Sequence, residues 1–163
     1  MSQKEGSEQA NYPVLYLSSY KELHAIAILL KPNYSRLGVM FNYCVKELLT
    51  HLHKDAARNI LWVFTNARST DYRPGDTLGP LKQLIKDHEK QGLYCTPQNW
   101  FCFDNEALRY LARAVNNFVD EKNEKERNTY ATSWALASQE SNNLFEKVIS
   151  MKPHKVEDTV SIH

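Results

Sequence analysis

The chain has 163 residues, enough for one ordinary domain with a real hydrophobic core. Its 42% hydrophobic and 24% charged residues are a globular composition, and 20 basic against 19 acidic residues leave a formal charge of +1. That balance supplies no global field for nucleic acid or an anionic membrane, and the longest uncharged apolar run, residues 25–30, is far shorter than the roughly 20 residues a membrane span needs.

Residues 1–11 are polar, mix both signs of charge and read as a flexible tail without a secretory signal. Residues 12–23 suit a short helix after Pro13. Residues 23–30 (LHAIAILL) are a buried strand candidate that stops at Lys31-Pro32-Asn33. From Ser35 the spacing predicts a long helix, with Leu37, Phe41, Cys44, Leu48 and Leu52 on its buried face and Met40, Val45 and Leu49 widening it. It should fade near residues 55–59.

Residues 59–64 (NILWVF) then form an uncharged run rich in β-formers, which suits a buried parallel strand. The adjoining polar stretch, residues 65–77, is too long for a simple turn, and loops of about 12–15 residues are uncommon and often functional. In doubly wound sheets ligands bind at the carboxyl ends of the strands, so this loop marks the expected working edge. Gly79-Pro80 predicts a helix with Pro80 in its first position, Leu81, Leu84 and Ile85 inward and Gly92 past its end.

A third buried strand comes at residues 99–103, ending in Asp104-Asn105. Residues 106–119 predict a helix with Ala107, Leu111, Ala114 and Phe118 on one face. Residues 120–127 are a charge run, either a solvated helix surface or a linker. A last amphipathic segment, with Trp134, Ala137, Ser141, Leu144, Phe145 and Val148, stops before Pro153, and the residues beyond that proline read as untethered. Trp62, Trp100 and Trp134 are expected to pack against the domain.

Strands alternating with helices imply an α/β fold with a parallel sheet and right-handed crossovers. Three strands alone leave an unpaired edge, so the sheet reads as partial. The organisation expected is a flexible tail (1–11), a partial domain (12–119), a helical extension (120–151) and a second flexible tail (152–163).

Cys44, Cys95 and Cys102 are an odd, widely spaced set that fits reduced cytosolic thiols, so a cytoplasmic location is expected. His51 and His53 are two apart and no CxxC occurs, which argues against structural zinc. The sequon Asn33-Tyr34-Ser35 carries no weight without an export signal. His51, His53 and His88 lack an adjacent nucleophile motif, so Ser/His and Cys/His catalysis is unsupported.

At its three strand ends the chain resembles the later half of a GTPase domain of the avirulence-induced and immune-associated nucleotide-binding type, in the septin-like branch. Those proteins carry strands such as HAVLVVF, VVFT and CVLFDN. Here the counterparts are residues 24–30 (HAIAILL), 62–65 (WVFT) and 101–105 (FCFDN). The chain also resembles G domain-containing proteins with LLKPN, KELL, FTN-R followed by PGDT, and FDNEA-R-LA, matched by residues 29–33, 46–49, 64–68 with 74–77, and 103–112. The likeness runs from about residue 12 to residue 156.

The resemblance implies a P-loop GTPase type of three-layer sheet that lacks its N-terminal strands. It also implies GTP or GDP as ligand, with Mg²⁺ only if the N-terminal half is supplied. No GxxxxGK followed by Ser or Thr occurs in these 163 residues, so nothing here can wrap the β- and γ-phosphates, and no GTP hydrolysis by this chain alone is expected. The family's base reader, (N/T)KxD, aligns with Thr65-Asn66-Ala67-Arg68, which puts Arg68 where an Asp would accept from guanine. Arginine accepts no hydrogen bond, although it can meet a base carbonyl, and Asp71 or Asp76 folding back is the other route. The base-binding candidates are Thr65, Asn66, Arg68, Asp104 and Asn105. Their alternative roles are a strand-end turn for the first pair and helix N-capping for the last. For Arg68 and Arg73 the two readings are phosphate binding and, as the default, plain solvated loop charges. The rival functional readings are a catalytically dead protein-interaction module, pairing with a partner or a second copy through an exposed strand edge, and an incomplete gene model of a full GTPase.

Overall fold

The computed structural model describes residues 20–116, 123–155 and 157. The expected tail 1–11, the start of the helix after Pro13, Phe118, the first half of the charge run and most residues after 155 lie outside the described residues.

Three parallel strands form the centre. β1 is a two-residue strand, Glu22–Leu23, and β2 (Ile26–Leu30), β3 (Ile60–Phe64) and β4 (Trp100–Cys102) make the main sheet in the order β2-β3-β4. Ile26 lies opposite Ile60 and Trp62 opposite Trp100, so each strand keeps the register its apolar alternation demands. The helices are α1 (Val39–His51), α2 (Leu78–Asp87), α3 (Glu106–Val115) and α4 (Glu124–Ser150). This is a mixed α/β fold, as the alternation of elements predicts. No helix among the described residues is long and apolar enough to cross a membrane.

Side chains alternate across a strand, so Ile26, Ile28, Leu30, Ile60, Trp62, Phe64 and Cys102 share one face. That face is the core: they cluster with Val45, Leu49 and Leu52 from the α1 side and with Leu81 and Leu84 of α2. Trp62 is fully buried and its indole N–H donates to the Tyr94 carbonyl at 2.8 Å. Asn99, also fully buried, donates to the Ile60 and Tyr94 carbonyls and accepts from the Thr96 N–H, which fixes the entry into β4.

The opposite face is covered unevenly. Leu61, Val63 and Phe101 are buried, whereas Leu29 on β2 is 64% exposed and Ala27 is exposed. The reason lies in the path of α4. Its start meets α3 through the Arg113–Glu126 pair; Ser133, its tenth residue, meets Asp104 past the end of β4; and Glu140 accepts the Cys102 N–H at 3.0 Å along the outer margin of the sheet. Asn123 caps its start by accepting the Glu126 N–H at 3.1 Å. The helix ends before β5 (His154–Lys155), which pairs antiparallel with β1. Among the described residues, the back of β2 stays exposed at Ala27 and Leu29.

Several expectations are corrected. Residues after Pro153 are not wholly untethered: β5 pairs with β1, and the Asn59 side-chain amide joins the two segments by donating to the Leu23 and Lys152 carbonyls at 3.3 and 3.0 Å. The buried line of α1 runs through Phe41, Val45, Leu49 and on to Leu52, which turns Cys44 and Met40 outward. The helix begins at Val39 because Gly38 is extended (ψ 156°). α2 begins at Leu78, two residues before Pro80, because the 3-10 turn Gly75–Thr77 leads into it. Pro80 still falls in the first turn, where no partner for its missing N–H is required. Ala107 of α3 is buried, but Leu111 is 47% exposed and Ala114 is exposed, because α3 packs against α4 and not into the main core. Trp134 of α4 is likewise 58% exposed.

Candidate functional site

The stretch 65–77 is not structureless. It holds two 3-10 turns, Ala67–Thr70 and Gly75–Thr77, and three non-glycine residues in the left-handed region: Asn66 (φ 60°), Asp71 (φ 50°) and Tyr72 (φ 55°). Such conformations are costly and persist where the surroundings over-determine them. Both ends are held. At the start, the Ala67 N–H donates to the Phe103 carbonyl at 2.8 Å, which ties the loop to the end of β4. At the far end, the buried Thr77 hydroxyl donates to the Lys31 carbonyl and accepts the Tyr34 N–H, both at 2.8 Å. Gly75 (φ +57°) passes so close to Asn33 that a Cβ there would lie 2.3 Å from its Oδ1, so a side chain at this position would be strained and would push the Asn33 amide aside.

Beside this loop, at the carboxyl ends of β3 and β4, lies an open cavity of about 740 Å³ lined by Asn66, Arg68, Ser69, Asp104, Asn105, Glu106 and Arg109. Its size is in the range of small-ligand sites. Four of the five residues expected from the sequence, Asn66, Arg68, Asp104 and Asn105, therefore meet in one place. Thr65 does not line it: its N–H and hydroxyl both donate to the Leu30 carbonyl, at 2.7 and 3.2 Å, and join β3 to β2. Asp71 and Asp76 do not line it either. Both are exposed, and the Asp76 N–H points to Asn33 at 3.4 Å.

Asp104 is the fixed point of the site. It is 6% exposed; Oδ2 accepts from the Tyr72 hydroxyl, and Oδ1 accepts from the Ser133 hydroxyl and from the Glu106 N–H at 3.2 Å. One carboxylate thus binds the loop, the first turn of α3 and α4 together. It supplies the capping contact for α3, while Asn105 makes no side-chain cap and stays exposed at the cavity. Burial, then the hydrogen bond and charge of Asp104, push the Tyr72 phenol up to about 12.

Arg68 is no plain solvated charge. Its guanidinium lies 4.0 Å from Glu106 Oε2 and 5.8 Å from the centre of the Tyr130 ring on α4. Arg109 holds the other Glu106 oxygen at 2.7 Å. Tyr130 in turn stacks on Tyr110 of α3 at 4.8 Å between centroids. Three cavity residues were not foreseen: Ser69, Glu106 and Arg109. The Glu106–Arg109 pair, spaced i,i+3 on the first turn after a strand, was the readable signal. Tyr72 and Ser133, which meet Asp104 across 32 and 29 residues of chain, carry no local signal at all.

Among the described residues no group of three or more His, Cys, Asp or Glu side chains is placed to hold a metal. Burial pushes the thiols of Cys95 and Cys102 up to about 12, which makes them inert at neutral pH. The lining offers amide, hydroxyl and guanidinium donors, and the side-chain oxygens of Asn66, Ser69 and Asn105 are acceptors as well. No family model, curated protein or solved structure matches the chain.

Proposed function

We propose that this chain carries the base-side edge of a guanine-nucleotide-binding domain of the P-loop GTPase type, and that it does not hydrolyse GTP by itself. One observation carries the reading: Asn66, Arg68, Asp104 and Asn105, from two separate strand ends, converge on one cavity at the carboxyl edge of a parallel sheet. The absence of GxxxxGK from the 163 residues supports the second half, since positioning and charge stabilisation at the phosphates are most of phosphoryl-transfer catalysis. Mg²⁺ belongs to that phosphate side and has no role on this one. The test is displacement of a fluorescent GDP analogue from the purified chain. Saturable binding displaced by GDP and not by ADP is expected, with no phosphate released from GTP above background. A folded chain that binds no nucleotide would refute the base-side reading.

A second reading is favoured by the exposed back of β2 and the start of α1. Leu29 on this marginal strand is 64% exposed, and Val39, Met40 and Tyr43 at the start of α1 are 87, 73 and 57% exposed. A strand margin with no partner among the described residues, beside exposed apolar side chains, suits pairing with a protein partner or a second copy. Light scattering after size exclusion separates the two: a concentration-dependent dimer supports the interaction module, and a monomer at all concentrations rejects self-association.

A further inference from the structure

We infer that the cavity recognises guanine through its O6/N7 acceptor edge, read by Arg68, and not through its N1–H and N2 amino donors; the inference rests on the nucleotide reading above. The argument is an inventory of donors and acceptors. Reading N1–H and the amino group side by side takes a carboxylate, whose two oxygens accept in parallel; the amide oxygens of Asn66 and Asn105, also in the cavity, accept only singly. Asp104 is already committed: it is 6% exposed and accepts from Tyr72, Ser133 and the Glu106 N–H. Glu106 lies between two guanidiniums, bonded to Arg109 at 2.7 Å and 4.0 Å from Arg68, so a base's paired N–H groups would have to compete with both cations for it. Asp71 and Asp76 do not line the cavity.

What the cavity does present is donors. Arg68 has five N–H groups in a planar fork, and a 4.0 Å ion pair together with a ring beneath its face leaves most of them unspent. The Tyr130 ring and Glu106 limit how far that fork can swing, which pre-orients it over the cavity. The fork matches O6 and N7 of guanine in a bidentate pair, whereas adenine shows a donor amino group in the place of O6. Arg68 is thereby the residue that sets base choice, and Asp104 is a positioning residue that holds the loop carrying it.

The experiment is competition against a fluorescent GDP analogue by GDP, IDP, 7-deaza-GDP and ADP. IDP keeps O6 and N7 but lacks the amino group; 7-deaza-GDP keeps the amino group but lacks N7. IDP is expected to compete within about twofold of GDP, with 7-deaza-GDP and ADP weaker by about tenfold or more, the scale of one bidentate contact. Arg68→Lys keeps the charge but loses the fork, and should erase the gap between GDP and 7-deaza-GDP. The opposite order, with IDP at least tenfold weaker than GDP and 7-deaza-GDP equal to it, overturns the inference and leaves the nucleotide reading standing. No binding of any of the four overturns both.

Discussion

The two margins of the sheet are built differently. At β4 every element is tied to another: Glu140 takes the Cys102 N–H, Ser133 and Tyr72 converge on Asp104, Tyr110 stacks on Tyr130, and Arg68 bridges loop and helix. At β2 the backside is open, with Ala27 and Leu29 exposed beside the fully buried Leu61. A parallel sheet is ordinarily covered on both faces; among the described residues the β4 margin meets that rule and the back of β2 does not. The two proposed readings follow this difference: ligand recognition for the first margin, association for the second.

The contrast can be broken most easily in the core. Trp62→Ala, which empties a fully buried site and removes one of the two donors to the Tyr94 carbonyl, should cost about 3–5 kcal/mol in urea unfolding, whereas Leu29→Ser should stay within about 0.5 kcal/mol. Comparable losses would mean that Leu29 is covered in solution and that the two margins are alike.

Next in size is the fixed point of the site. Asp104→Ala removes the acceptor of two hydroxyls and one N–H and should cost about 2–3 kcal/mol. It should also raise amide exchange in residues 65–77 and in the first half of α4 together, because one side chain holds both. Faster exchange in the loop alone would show that α4 docks independently.

The smallest effect is in pH dependence. The Tyr72 phenol is raised from 10.0 to about 12, so the folded state holds that proton more tightly than the unfolded state does. Its contribution is complete below about pH 10 and is lost as pH rises towards 12. Tyr72→Phe should therefore lose less stability than the native chain across that window in parallel urea titrations. Identical slopes would place the phenol in water.

Much of this was legible in the sequence. The three β-former runs became β2, β3 and β4, and the long polar stretch marked the cavity edge because strand ends and turn residues have local signatures. The other features depend on long-range contacts. The β1–β5 pair rests on the Asn59 amide reaching two carbonyls, and no periodicity encodes that. Leu111 and Trp134 follow helical spacing yet stay exposed, because apolar spacing says which side of a helix is greasy and not whether anything covers it. Asp104 was legible as a cap. Its role as the junction of loop and α4 needed Tyr72 and Ser133 brought from far along the chain.

The most direct test of the account is amide chemical-shift mapping of the isotope-labelled chain titrated with GDP. The account predicts saturable shifts at residues 66–69 and 104–109, smaller ones around Tyr130 and Ser133, and none along β2. Shifts confined to β2 and the start of α1, or none anywhere in a folded chain, would contradict the assignment of recognition to the β4 margin.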